Sequence, residues 1–455
     1  LLLVDGDAEE IAMSRIPLFF WGLVAVVSAV WFAADSLWVS PFAYFPFRSV
    51  FVQYSGILAV VMMAGALVLA LRLRVLERWV GGLDKVYRLH KWLGIGSLVL
   101  ATLHWWWAQG TKWMVGWGWL DKPAGKGAGQ QLTGLEAWFR GQRGLAETLG
   151  EWAFYAAAVL IVLALVKAFP YHLFRKTHKL LAVVFLPLAW HSFILMEFDY
   201  WAAPIGWLTQ AAVVAGSVAA VLLLVGWPGK VRKVPGEVVS VTRYPDLKVF
   251  EFLVKVTQGW SGHSPGQFAF ITSDAAEGPH PYTIASDWNP ETRCLKFVVK
   301  ELGDHTRRAS RRICEGMPVT LEGPYGGFDF EDDCRTQIWV GAGIGITPFI
   351  ARMGRLAGRP DSRTVYLFHP TADVSEEALA KLRADAEAAG VNLVIRCSRT
   401  EGRLTPEEIR DAVPDWQNAS LWYCGPVGLA NTLFNQFRKW GMPARRMHRE
   451  FFDMR

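Results

Sequence analysis

Hydrophobic residues fall into two regimes along this 455-residue chain. Up to about Trp227 they come in long, almost unbroken runs; beyond Lys230 they come in short alternating bursts between turns. Six runs approach the ~20 residues that a helix needs to cross a bilayer. They lie at about 16–34, 51–71, 90–109, 152–169, 179–197 and 205–227. In the second half GEVVSVTRY, KVFEFLVKV, GQFAFITS, CLKFVVKEL and MPVTLEGPYG alternate β-branched and aromatic residues with polar ones. That pattern predicts a small antiparallel barrel. From Gln337 strands at IWV, TVYLFHP, NLVIRCS and SLWYCGP alternate with helical stretches near 375–389, from Pro406 and from Val427. This is the signature of an α/β nucleotide-binding domain. The predicted fold is a multidomain membrane protein: a six-helix transmembrane bundle over 1–229, an antiparallel β-barrel domain over 230–332 and an α/β domain over 333–455.

Charge gives the spans a direction. Basic residues gather after the second span (Arg72, Arg74, Arg78, Lys85, Arg88), the fourth (Arg175, Lys176) and the sixth (Lys230, Arg232, Lys233). Short cytoplasmic loops collect Lys and Arg, so all three clusters face the cytoplasm if the N-terminus does. The five cysteines (Cys294, Cys314, Cys334, Cys397, Cys424) all lie in the second half, none at a metal-ligand spacing, which fits free thiols in a reducing compartment. A net charge of +6 without an arginine strip interleaved with aromatics gives no reason to expect nucleic acid. The chain opens at Leu1 rather than Met, and its acidic VDGDAEE is read as an appended or late-trimmed start. Residues 110–150 are predicted to form a long outward loop. Trp105–Trp107, Trp113, Trp117 and Trp119 beside it read either as an interfacial aromatic belt or as part of a lid.

Two spans carry paired histidines. HKWLGIGSLVLATLH holds His90 and His104; HKLLAVVFLPLAWH holds His178 and His191. At ~1.5 Å per residue each pair is separated by about 20 Å along its helix. Both helices run in the same direction, so His90 matches His178 in depth and His104 matches His191. Imidazoles facing one another across an apolar bundle are what six-coordinate b-type haem iron requires. Fourteen residues return His104 to within about 40° of the face of His90. Thirteen residues do worse for His178 and His191; Pro187 between them is read as the kink that restores the phase. Interhelical hydrogen bonding is the plainer alternative for any one of them. His172 matches no partner and is read as interfacial.

The second half carries HPYTIAS (His280–Ser286), ELGDHT, EGPYGGF and a strand leading into GAGIGITPF. Gly341, Gly343 and Gly345 let a backbone approach a phosphate, and the helix opened by Thr347 and Pro348 offers free N–H groups.

Together these elements resemble the ferric reductase and NADPH oxidase superfamily, of bacterial type: a haem-bearing membrane domain fused to a ferredoxin–NADP reductase-like module. The resemblance runs from about residue 50 to the end. It implies that His280, Pro281, Tyr282 and Thr283, with Ser286 closing the motif, line FAD, and that Gly303, His305 and Thr306 meet its pyrophosphate. Gly341, Gly343, Gly345, Thr347 and Pro348 match the nicotinamide dinucleotide loop. Cys424, Gly425 and Pro426 match a CGP element whose cysteine lies by the nicotinamide. In the closing EFFDMR, Phe452 rather than Phe451 is the aromatic expected to shield the flavin; core packing is the alternative for both. Ser398, Arg399 and Arg403 match an element that holds the 2′-phosphate, favouring NADPH over NADH; the alternative is solvated surface arginine. Cys424 and Phe452 are the expected catalytic residues. His90, His104, His178 and His191 are the expected iron ligands.

The implied activity is electron transfer from cytoplasmic NADPH through FAD and two b haems to an acceptor beyond a bacterial inner membrane. Bis-histidine iron leaves no vacant ligand position, so the acceptor, dioxygen or a ferric chelate, is expected to react without binding iron. Arg140 and Arg143 would attract such an anion or simply be solvated. A relay to a periplasmic protein is the alternative, as is a flavin reductase with purely structural histidines.

Overall fold

A computed structural model of the chain describes residues 15–38, 42–121, 134–166, 168–227, 232–275 and 277–450. It divides into two compact units, one of residues 15–76 and 86–228, the other containing 77–85 and 229–455.

The first unit is helical. Its elements, with the connecting α3, are α1 (Arg15–Phe32), α2 (Tyr44–Ala70), α3 (Arg74–Val80), α4 (Leu83–Trp105), α5 (Thr111–Gly116), α6 (Gly134–Leu165), α7 (Tyr171–Leu195) and α8 (Pro204–Leu224). Four of them, α2, α6, α7 and α8, are long and apolar enough to cross a membrane among the described residues, not the six expected. The apolar part of α1 is too short, and α4 carries Asp84, Lys85, Arg88 and Lys91 in its first turns. Val27, Trp31, Ile57, Val61, Ala64, Phe185, Ala189 and Ala220 form the buried centre. At Gly216 a side chain would collide with Phe185 and Ala64, so glycine there lets α2, α7 and α8 close up. Outward positions such as Val159, Val162, Val183, Val214 and Val218 stay exposed and apolar, as a lipid-facing surface requires.

Of the expected 110–150 loop, residues 122–133 lie outside the described residues, and helix occupies 111–116 and 134–150. α4 passes through one π turn (Trp106–Gly110) into α5, and the carbonyls of Trp107 and Ala108 in that turn accept from Arg48, each at 3.1 Å. Residues 134–150 form the first turns of α6, a helix of 32 residues. Polar residues here follow helical spacing, with Arg143 and Glu147 joined at 2.9 Å. The apolar run from Trp152 marks just the second half of this helix.

The second unit holds two sheets. The first contains β1 (Lys233–Tyr244), β2 (Val249–Val256), β3 (Phe268–Thr272), β4 (His280–Thr283), β5 (Cys294–Lys300) and β6 (Pro318–Tyr325), with α9 (Asp304–Arg312) between β5 and β6. The strands run antiparallel in the order β4-β3-β6-β1-β2-β5. Alternate residues of β2 and β5 point inward; Phe252 lies opposite Phe297 with ring centroids 5.3 Å apart. A ring pair of this kind adds about 1 kcal/mol beyond area burial. The predicted barrel does not close: between the edges β4 and β5 there is no ladder among the described residues, just an isolated bridge, Ile284 to Phe297, with a few bonds beside it.

The second sheet contains β7 (Thr336–Gly341), β8 (Thr364–Thr371), β9 (Asn392–Cys397), β10 (Ser420–Cys424) and β11 (Met447–Arg449). Its helices are α10 (Thr347–Gly358), α11 (Glu376–Ala388), α12 (Pro406–Ala412) and α13 (Val427–Lys439). All strands are parallel, in the order β11-β10-β7-β8-β9. β7 and β10 are buried along their whole length, which explains why apolar residues run on without alternation after their polar first residues. The winding reverses between them, and that is where open α/β sheets bind ligands. The 77–85 segment joins this unit through Glu77, which accepts from the Gly326 amide at 3.1 Å and pairs with Arg232 at 3.4 Å.

Candidate functional site

The structure brings the four span histidines together in twos. His90 faces His178 with ring centroids 5.8 Å apart, and His104 faces His191 at 6.1 Å. α7 reaches both partners although Pro187 lies inside it. Nδ1 of His90 meets the Ala66 carbonyl at 2.8 Å; that of His104 meets Val52 at 2.9 Å; that of His191 meets Ala146 at 2.9 Å. A carbonyl only accepts, so each Nδ1 carries the proton and each Nε2 keeps its lone pair. Metal-binding histidines are fixed in just this way. Two nitrogen–metal bonds of about 2 Å, with the ring radii added, put centroids about 6 Å apart. The donor set and its spacing therefore fit a bis-imidazole iron. Glycines leave room for the rings: a Cβ on Gly56 would sit 3.0 Å from the His104 ring, and one on Gly150 would overlap His191.

In the first sheet, His280 and Tyr282 share one side of β4, while Thr283 is buried opposite Phe268. The His280 and His305 rings stack at 3.3 Å and 10°. His305 donates through Nδ1 to Glu277, and the Tyr282 hydroxyl lies 2.7 Å from its Nε2. Burial, then the Glu277 charge, pushes the Tyr282 hydroxyl up, so it keeps its proton and donates. Burial also pushes the Glu277 carboxyl up, but hydrogen bonds from His305 and Arg308 outweigh it and the net shift is downward. Glu277, His280 and His305 lie close enough together to suggest a metal. Their geometry argues against one. Stacked rings keep their in-plane lone pairs in two parallel planes, so they do not converge on one ion, and both nitrogens of His305 are engaged. The Thr306 hydroxyl accepts from the Leu302 and Gly303 amides at 2.9 and 3.1 Å, fixing the start of α9. Ser286 accepts from the Lys296 amide at 3.1 Å, which ties the end of the motif to β5.

At the reversal of the second sheet, Gly341 pairs with Cys424, and the Ala342 amide donates to the Cys424 carbonyl at 2.9 Å. A Cβ on Gly345 would overlap that carbonyl, and one on Gly341 would lie 2.9 Å from Phe349. Both glycines are thus fixed by packing as well as by the turn. Thr347 and Pro348 are buried in the first turn of α10, with the Thr347 hydroxyl donating to the Ile344 carbonyl at 2.7 Å.

Comparison with known proteins meets this geometry in the helical unit and in the first sheet. Residues 55–189 match the family described as ferric reductase like transmembrane component, and residues 235–328 match an FAD-binding domain. Both halves of the chain thus match components of the ferric reductase and NADPH oxidase superfamily. An "NADPH oxidoreductase" of Mycobacterium tuberculosis is 37% identical over 214 residues, 44% of this chain and 55% of that protein. A "Probable cell surface ferric reductase kap2" of Aspergillus oryzae is 30% identical over 226 residues, 43% of this chain and 28% of that protein. The matches thus span about half of the first relative's length and less of the second's. Among solved structures, the Amycolatopsis cytochrome P450 reductase GcoB superposes with a TM-score of 0.43 at 23% identity, covering 49% of this chain and 70% of that one.

The remaining residues of this ferric reductase-type chain line the nucleotide half. Cys424 is fully buried, and burial, with Glu450 nearby, pushes its thiol well up. It is therefore a neutral packing group rather than a thiolate. Pro426 caps α13 and accepts from the Tyr423 hydroxyl at 2.7 Å; Gly425 leaves space that a Cβ would take from Ala342 and Tyr423. Ser398 donates to the Thr371 carbonyl at 3.2 Å. Arg399 is largely exposed and paired with Asp373; Arg403 is exposed. Phe451 and Phe452 lie outside the described residues.

Glu450 escaped the sequence reading, although it stands in the quoted EFFDMR. It is buried, and one carboxyl oxygen has no hydrogen-bond partner among the described residues. Burial, reinforced by Asp84 and opposed by Lys85, raises its carboxyl well above the usual range. Arg140 is exposed and Arg143 is engaged by Glu147, so neither forms a built anion site.

Proposed function

We propose that the chain moves electrons across a bacterial inner membrane, from cytoplasmic NADPH to a ferric chelate on the far side. One observation carries this reading: α4 and α7 each carry two histidines, fourteen and thirteen residues apart, and these face one another as two cross-helix pairs, each spaced to hold iron. When bound, NADPH would supply a hydride, FAD would divide the electron pair, and two b-type haems would pass single electrons.

The chain's own residues do the rest. His90 and His178 would hold one iron and His104 and His191 the other, each through Nε2. The carbonyls of Ala66, Val52 and Ala146 keep three of the rings in the ligating tautomer. His280, Tyr282 and His305 face the flavin. Gly341, Gly343, Gly345 and the start of α10 receive the coenzyme pyrophosphate, and Ser398, Arg399 and Arg403 its 2′-phosphate. Cys424 stays protonated beside the nicotinamide and, with Glu450, keeps charge and water away from it. With an imidazole from each of two helices holding each iron, the acceptor would be reduced without binding to it. The ferric reductases among the relatives support a ferric chelate, and the free cysteines of the nucleotide unit support its cytoplasmic position.

The test is turnover by purified protein with NADPH and ferric citrate, reading ferrous iron. Iron reduction insensitive to superoxide dismutase is expected. Dismutase-sensitive cytochrome c reduction would replace the chelate by dioxygen. Turnover only after adding a periplasmic extract would replace both by a protein partner.

A further inference from the structure

Three of the four span imidazoles are anchored and one is not. His90, His104 and His191 each use Nδ1 on a backbone carbonyl at 2.8–2.9 Å. The buried Nδ1 of His178 has no hydrogen-bond partner among the described residues. Its ring is held by packing: it stacks on Phe174, one turn earlier on α7, at 5.0 Å and 25°.

The difference has chemical consequences. An N–H donating to a carbonyl fixes the tautomer, fixes the ring angle and makes the other nitrogen a stronger donor; loss of such a partner typically weakens metal binding by about 10- to 100-fold. Without an acceptor, nothing holds the His178 proton on Nδ1. Its ring can also turn about its own axis without breaking a hydrogen bond. His90, across from it, keeps its anchor, so the asymmetry lies within one pair.

We propose that His178 is the exchangeable axial ligand of this protein, and that the His90/His178 site takes a small neutral donor, such as water or added imidazole, in its place. This rests on the haem reading above. In the exchange the iron–Nε2 bond to His178 breaks, the imidazole leaves with its lone pair, and the incoming donor supplies another; no electron or proton changes hands. The His104/His191 site, anchored on both sides, holds its group more tightly.

The experiment is haem transfer from the full-length, detergent-solubilised protein to excess apomyoglobin, followed by absorbance. Two phases are expected, differing at least about tenfold in rate. His104→Leu, which keeps only the His90/His178 site, should retain only the fast phase. His90→Leu, which keeps only the other site, should retain only the slow one. Either variant alone assigns the phases if the other fails to fold. Equal rates, or the reverse assignment, would overturn the inference and leave the haem reading standing. A wild-type protein that purifies without haem would overturn both.

Discussion

Arg399 donates to Asp373 at 2.6 Å, and the same carboxylate holds Lys300 at 3.4 Å. The guanidinium proposed for the 2′-phosphate of NADPH is therefore already engaged through Nη2, and the carboxylate competes with the phosphate for it. Because Arg399 is largely exposed, the pair is worth little by itself, within about 0.2–1 kcal/mol. Asp373→Asn should therefore strengthen binding of 2′,5′-ADP by about threefold and leave 5′-ADP nearly unchanged. Arg399→Ala should weaken only the phosphorylated ligand. Titration calorimetry with the two nucleotides reads both effects.

The α6 glycines provide an internal control for the His104/His191 site. A methyl on Gly150 would overlap the His191 ring, whereas a methyl on Gly144 meets nothing within 4 Å. Gly150→Ala should push His191 off the Ala146 carbonyl and lower the haem content by about half. Gly144→Ala, at an exposed helix position, should leave haem content unchanged and stabilise the helix by up to about 1 kcal/mol. Haem stoichiometry and thermal unfolding of the two variants separate loss of the site from loss of the helix.

Glu450 sets a pH dependence with a definite sign. Its folded-state carboxyl titrates well above the ordinary value of 4.5, so the folded chain holds a proton that the unfolded chain releases. Its contribution to stability is thus full below that ordinary value and is lost as pH rises through the folded-state value. Glu450→Gln should remove this decline and be the more stable protein at neutral pH. Melting temperatures of wild type and variant across acid to neutral pH check it; parallel curves would contradict the buried, protonated carboxyl.

The sequence was most legible where chemistry imposes spacing. The fourteen-residue interval from His90 to His104 and the HPYT and GAGIG motifs all find structural counterparts because side-chain identity itself encodes them. Features built from backbone or from shape left weaker marks. The carbonyls of Ala66, Val52 and Ala146 could belong to any residue, so nothing in the letters announces the anchors. Gly56 and Gly150 were the available signals, each a glycine one ring away from a histidine. The early start of α6 was hidden by the charges of Arg140, Arg143 and Glu147, which mimic a loop until their helical spacing is considered. The α4 helix failed in the opposite sense: its apolar middle resembles a span, but the charges of its first turns set it apart from the four longer apolar helices. Glu450 was overlooked because its neighbours Phe451 and Phe452 drew the reading toward an aromatic role.

The most direct measurement is the haem content of the purified chain, taken with a reduced-minus-oxidised optical spectrum. Four imidazoles in two facing pairs predict two low-spin b haems per chain, with absorbance near about 560 nm, falling by about half in His104→Leu. A protein that folds, binds FAD and accepts hydride from NADPH but shows no haem bands, or only five-coordinate high-spin iron, would contradict that arrangement.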